Sequence, residues 1–75
     1  MKELLDYILK NIVGENKYEI IEENEGDVIK LNIKVSDDIA GMVVGKGGKV
    51  IKAIRNLLRI KAILLKKKII LLVNS

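Results

Sequence analysis

Three glycines and two lysines lie close together in residues 43–51, which read VVGKGGKVI. Glycine has no side chain and readily adopts positive φ angles, so it lets the backbone turn sharply or approach a bound group. Lys46 lies inside this glycine loop and Lys49 directly follows it. The residue types therefore indicate binding of an anion by backbone N–H groups and lysine side chains.

The spacing of the glycines excludes two nucleotide-binding motifs. A Walker A loop has four residues between its two glycines and a Ser or Thr after its lysine. Here Gly41 and Gly45 are one residue too close, and Gly47 stands where Ser or Thr is needed. A dinucleotide fingerprint, GxGxxG after a strand, fails because Gly48 directly follows Gly47 and no strand precedes the loop.

Two other interpretations stay open at this level. A helix-hairpin-helix loop binds duplex DNA through a Gly-apolar-Gly segment between two helices, but Lys46 occupies the apolar position. A glycine-rich turn without any ligand is the plainer alternative. It leaves unexplained why basic residues gather at the same place.

The composition argues against catalysis. The 75 residues include no Cys and no His, so thiol nucleophiles, imidazole bases and zinc sites of these ligands are excluded. Two tyrosines are the only aromatic residues, which excludes a sheet that stacks bases on aromatic rings. We expect a protein that is not an enzyme and that uses no cofactor or metal.

Charge is distributed unevenly along the chain. Residues 1–40 hold five lysines and ten acids, a net charge of −5, whereas residues 41–75 hold nine Lys and Arg and no acid, a net charge of +9. This asymmetry favours one surface for a polyanion. The apolar tail after Ile60 is interrupted by lysines, so no run spans a membrane and we expect a cytoplasmic protein.

Hydrophobic periodicity predicts the elements that position the loop. An amphipathic helix ends at Gly14, strands cover residues 17–23 and 28–35 around a turn at 24–27, and a short helix follows Ser36 to about Val43. A second helix starts near Lys49, and a last strand covers residues 69–73 after a turn at 66–68. Where the second helix ends, between Lys61 and Lys66, stays open.

The helix after the loop is predicted to have an apolar core side and a basic side. The core side is expected to hold Val50, Ile51, Ile54, Leu57, Leu58, Leu64 and Leu65; the basic side holds Lys52, Arg55, Arg59 and Lys66. Apolar residues remain outside these sets, on the helix and on the open sheet face: Ala53, Ile60, Ile63, Ile70 and Leu72. Such a surplus predicts self-association or a protein partner.

Residues 44–51 resemble the signature of the KH domain, which is Val or Ile, Gly, two variable residues, Gly, two variable residues, and Ile or Leu. The predicted order helix-strand-strand-helix-helix-strand is similar to the type II arrangement found in small single-KH RNA-binding proteins of bacteria. This resemblance covers essentially the whole chain. It implies an α+β fold in which helices pack on one face of a three-stranded sheet, and one KH domain over residues 1–75.

The resemblance also implies a site. KH domains clamp about four unpaired nucleotides through this loop. Carried over by position, the RNA-binding residues are Gly45, Lys46, Gly47 and Gly48 in the loop, Lys49, Lys52 and Arg55 beyond it, and Ile39, Val43 and Val44 on the floor of a groove with Ile51. The implied partners are single-stranded RNA and a second KH protein or a second copy, in a post-transcriptional regulator or RNA chaperone. An assembly adaptor that binds nucleic acid weakly is the alternative.

Overall fold

Three helices pack on one face of a three-stranded sheet in the computed structural model, which describes residues 1–75. The elements are α1 (Lys2–Val13), β1 (Glu19–Glu25), β2 (Val28–Lys34), α2 (Asp37–Val44), α3 (Lys49–Leu64) and β3 (Lys68–Asn74), with a 3₁₀ turn at Lys46–Gly48 before α3. The predicted order of elements is confirmed. The protein has an α+β fold of the type II KH kind.

The sheet has the order β1-β2-β3. β1 and β2 form an antiparallel hairpin, and β3 runs parallel to β2, which requires the crossover made by α2 and α3. β1 begins and ends two residues later than predicted. Glu25 still pairs with Val28, because Gly26 adopts a φ of 56° and closes the hairpin with only two residues.

The core lies between this sheet and the helices. Ile29, Leu31 and Ile33 alternate along β2 and are buried, as their period of two predicts. The buried hydrophobic cluster comprises Leu5, Leu9, Val13, Ile20, Ile29, Leu31, Ile33, Val43, Ile54, Leu58 and Leu71. The opposite sheet face is open, and Ile70 and Leu72 are exposed on it as predicted.

Helix α1 is held on the sheet by the polar contacts of two side chains, Glu22 in β1 and Tyr18 directly before it. Glu22 Oε1 accepts a hydrogen bond from the backbone N–H of Lys2 at 2.9 Å and lies 3.9 Å from the amino group of Met1. The hydroxyl of Tyr18 lies 2.7 Å from Oδ1 of Asp6 and 2.9 Å from the carbonyl oxygen of Asp6. These contacts fix both the start and the middle of α1.

The predicted core side of α3 is wrong in part. Leu57, Leu64 and Leu65 are 53%, 78% and 50% exposed, whereas Ala62 is buried. The row that faces the core recurs every four residues, at Val50, Ile54, Leu58 and Ala62, so Leu57 and Leu64 point away from the sheet. The predicted side was too broad because α3 has apolar residues on two sides.

Helix α3 continues past the exposed Lys61 to Leu64 and ends in a Schellman motif. The N–H of Lys67 donates to the carbonyl of Ala62 at 2.8 Å, and the N–H of Lys66 donates to that of Ile63 at 3.0 Å. Lys66 has a φ of 57° and occupies the left-handed position that glycine usually takes. A lysine therefore ends this helix where a glycine is expected.

Candidate nucleic-acid interface

The glycine loop joins the end of α2 to the start of α3, as predicted. Gly45, Gly47 and Gly48 have φ angles of 75°, 65° and 76°, which are strained for residues with side chains. The N–H of Gly48 donates to the carbonyl of Gly45 at 3.1 Å, so the loop is a tight turn. Each of these positions therefore favours glycine for its backbone angle alone.

The loop glycines differ in their surroundings. A Cβ added to Gly45 would lie 2.8 Å from Cβ of Val50 and 3.0 Å from its backbone nitrogen, so the loop packs directly on the first turn of α3. A Cβ added to Gly47 would meet nothing within 4 Å. The inner side of the loop is thus fixed by packing, and the outer side, at Gly47, is open to a ligand.

The start of α3 suits an anion. The first N–H groups of a helix lack partners within the helix, and the helix dipole makes this end positive. The first turn of α2 carries Asp37 and Asp38, which offset that charge, whereas the first turn of α3 has no acid and no side-chain cap. The partial positive charge at the start of α3 therefore adds to the charges of the nearby lysines.

Basic side chains surround this end of α3. Lys46, Lys49 and Lys52 are exposed, and Arg55 is half-buried one turn further along the helix. The ion pairs in the structure, Met1–Glu22 and Lys10–Glu15, involve none of these cations. The structure therefore brings the predicted basic residues together as a positive surface that no acid of the chain neutralises.

The apolar residues predicted as a groove floor differ in accessibility. Ile39 and Val44 on α2 and Ile51 on α3 are half-buried. Val43 is fully buried in the core, so it supports the floor from below and offers no surface to a base. Met42 lies next to it and is 49% exposed. Met42 is not among the residues predicted for the site, although its position directly before the Val-Val-Gly segment could have indicated it as a candidate.

None of the three helices combines the length and the apolar composition needed to cross a bilayer.

Comparison with known proteins identifies the family. The family model described as KhpA/KhpB, KH domain, matches residues 2–73. The chain is 39% identical over 71 residues to the RNA-binding protein KhpA of Clostridium perfringens, covering 93% of this chain and 95% of the relative. It is 42% identical over 59 residues to RNA-binding protein KhpA of Chlamydia pneumoniae, covering 77% of this chain and 76% of the relative. No solved structure matches the chain.

The matched region includes the six helices and strands, except the last residue of β3, together with the glycine loop between α2 and α3. The order of these elements and the position of the loop agree with the family match. The chain belongs to the KhpA/KhpB family of KH domains.

Proposed function

We propose that this protein binds single-stranded RNA without catalysis and grips the RNA backbone at the loop formed by residues 45–48. One observation carries the proposal: three glycines at positive φ place a lysine-bearing loop at the acid-free start of α3. Relatives that cover most of the chain are named RNA-binding protein KhpA, which supports RNA as the partner. In this proposal, residues 1–75 form one KH domain that acts in the cytoplasm.

Each part of the loop has a distinct role in this proposal. The open side of the turn at Gly47 lets a phosphate approach backbone N–H groups. Lys46 adds a charge-assisted contact, and Lys49 and Lys52 extend the positive surface to the next phosphates. Bases rest on Ile39 and Val44. Because Gly47 has no side chain, the loop binds RNA mainly through its own backbone. It therefore distinguishes weakly between RNA sequences.

The test is a double substitution of the loop, Lys46→Asp with Gly47→Asp. We expect binding of a short single-stranded RNA to be lost and the circular dichroism spectrum to stay native, because Gly47 contacts nothing that a Cβ would displace. Lys17→Asp with Asn16→Asp is the matched control: Asn16 is exposed and also has a left-handed φ, 61°, and the charge change is the same. Normal binding by the loop variant would exclude the clamp.

A second candidate function is suggested by the outer side of α3. Ala53, Leu57, Ile60 and Leu64 recur every three or four residues and are all exposed, about a third of a turn around α3 from the core row at roughly 100° per residue. We call these four residues the outer stripe. We propose that the outer stripe pairs with a second copy or with another KH protein, and that the assembly acts as a post-transcriptional regulator or RNA chaperone.

If assembly is the main function, RNA binding becomes secondary and the protein is an adaptor. Sedimentation of the purified protein with and without single-stranded RNA separates the two functions. Tight self-association without any shift on adding RNA favours the adaptor. Competition between single-stranded RNA and duplex DNA tests the remaining alternative, a helix-hairpin-helix-like loop, since only that loop prefers the duplex.

A further inference from the structure

A surface cleft of about 360 Å³ lies at the other end of α3 from the glycine loop. Its charged lining is Arg59, Lys67 and Lys68, and its apolar lining is Ala62, Ile63 and Ile69. Two further clefts of the surface mix lysine with acids: one holds Lys10 with Asp6 and Glu15, the other Lys30 with Glu23 and Glu25. The cleft at the end of α3 has cations and no carboxylate in its lining.

The cleft is tied to the β1–β2 turn, and its cations form no ion pairs with the chain. Lys67 Nζ lies 3.4 Å from the carbonyl oxygen of Gly26, in the turn between β1 and β2. The backbone N–H of Lys68 donates to the carbonyl of Asp27 at 2.7 Å. Neither lysine forms an ion pair, and Arg59 forms none either. Three cations without ion pairs beside apolar walls suit a phosphate with its attached ribose or base.

The helix end beside the cleft is also basic. Lys66 precedes the lining residues and takes the left-handed position of the Schellman motif, with a φ of 57°. Residues 66–68 are three consecutive lysines, so the chain has cations where a glycine usually ends a helix.

The basic side of α3 connects the cleft with the glycine loop. Lys49, Lys52, Arg55 and Arg59 follow one another within about a third of the helix circumference, at roughly 100° per residue. From Lys49 to Arg59 the helix rises by about 15 Å, at 1.5 Å per residue. A strand stacked as in duplex DNA, at roughly 3.4 Å per nucleotide, spans that distance with about four or five nucleotides, and an extended single strand needs fewer.

We propose that the cleft lined by Arg59, Lys67 and Lys68 is a second phosphate-binding subsite for the same RNA strand. The strand leaves the glycine loop, follows the basic side of α3 and places a phosphate in the cleft. The footprint then grows from about four nucleotides at the loop to at most about nine. This inference rests on the proposed function, because the loop must bind the strand first.

The test compares RNA strands of about four and about twelve nucleotides, which are shorter and longer than this footprint. The variant is Arg59→Gln with Lys68→Gln, and the matched control is Lys2→Gln with Lys17→Gln, two exposed lysines outside the cleft. We expect the cleft variant to bind the longer strand about tenfold more weakly than the control. Binding of the shorter strand should stay within about twofold.

Salt dependence provides a second readout on the longer strand. Each phosphate that the protein no longer neutralises reduces the log–log salt slope by about 0.7, so for the one phosphate in the cleft the slope of the variant should be about 0.7 smaller than that of the control. Equal affinities of the cleft variant and the control for the longer strand would overturn the subsite. Equal weakening for both strand lengths would also overturn it, since the cleft would then act only through general positive charge.

Failure of the loop proposal gives a different result. If Lys46→Asp with Gly47→Asp leaves binding of the longer strand unchanged, the loop is not the clamp, whatever the cleft variant does. If the loop variant loses binding while the cleft variant matches the control, the clamp stands and the subsite is excluded. Circular dichroism of all variants confirms that they are folded.

Discussion

Gly45 and Gly47 both have positive φ angles, but only Gly45 packs against another residue. Gly45→Ala places a methyl group against the side chain of Val50 and forces a strained φ, so we expect a loss of about 2–4 kcal/mol in the free energy of unfolding. Gly47→Ala adds only the backbone strain, about 1–2 kcal/mol. Urea denaturation measures both. A smaller loss in the free energy of unfolding for Gly45→Ala than for Gly47→Ala would contradict the packing of the loop on α3.

Tyr18 provides a second prediction for a single residue. Burial, followed by the hydrogen bond to Asp6, raises the pKa of the Tyr18 hydroxyl from 10.0 to about 12. Because the folded state holds this proton more tightly, the stabilisation is complete below pH 10 and is lost as the pH rises toward 12. Tyr18→Phe should cost about 1 kcal/mol near neutral pH.

The measurement for Tyr18 is the difference in free energy of unfolding between the wild type and Tyr18→Phe, taken as a function of pH. Subtracting the variant removes the contribution of the lysines, which titrate in the same range. The difference should shrink between pH 10 and 12. A constant difference would show that the hydroxyl contributes nothing that depends on its proton.

For single residues, the sequence predicted only local backbone conformation. The turn at the three loop glycines follows from their own backbone preferences and is confirmed. The different burial of Val43 and Val44 could not be predicted, because it depends on how α2 is rotated against the sheet. Two adjacent valines look alike in the sequence, yet one is fully buried and the other half-buried.

Among the elements, α3 shows why hydrophobic periodicity has limits. Both sides of α3 carry apolar residues, so the pattern cannot tell the row that faces the sheet from the outer stripe. Leu57 and Leu58 are neighbours of the same type, and packing against the other elements decides that only Leu58 is buried. β2 has one apolar side, and its alternation predicted the buried residues correctly.

The end of α3 supports a prediction on stability. Lys66 is in a left-handed conformation that is unfavourable for a lysine, so Lys66→Gly should raise the free energy of unfolding by about 0.5–1 kcal/mol. Lys61→Gly is the control inside the helix and should lower it by about 1 kcal/mol. Urea midpoints measure both changes. Destabilisation by Lys66→Gly would mean that the lysine side chain stabilises the helix end.

The whole molecule separates its charge between two parts of the chain. α1 and the β1–β2 hairpin lie in the acidic residues 1–40, whereas the glycine loop, α3 and β3 lie in the basic residues 41–75. The order of elements could be predicted because each segment has its own periodicity and its own turn residues. The parallel pairing of β2 with β3 could not, since it combines residues that are about 40 positions apart.

Charge also predicts how the molecule assembles. If two copies pair through the outer stripe, Lys49 and Lys61 beside the stripe approach the same residues of the other copy, and α3 has no acid to offset them. Raising the salt concentration from about 50 to about 500 mM should therefore strengthen self-association by screening this repulsion, and weaken RNA binding.

Sedimentation equilibrium at the two salt concentrations measures this effect, with Leu57→Gln and Ile60→Gln together as the variant. The variant should be monomeric and keep nearly wild-type stability, because both side chains are more than half exposed. The control Leu58→Gln should unfold or lose several kcal/mol, since it buries an unpaired amide. Self-association that weakens with salt would instead indicate pairing of the acidic part of one copy with the basic part of another.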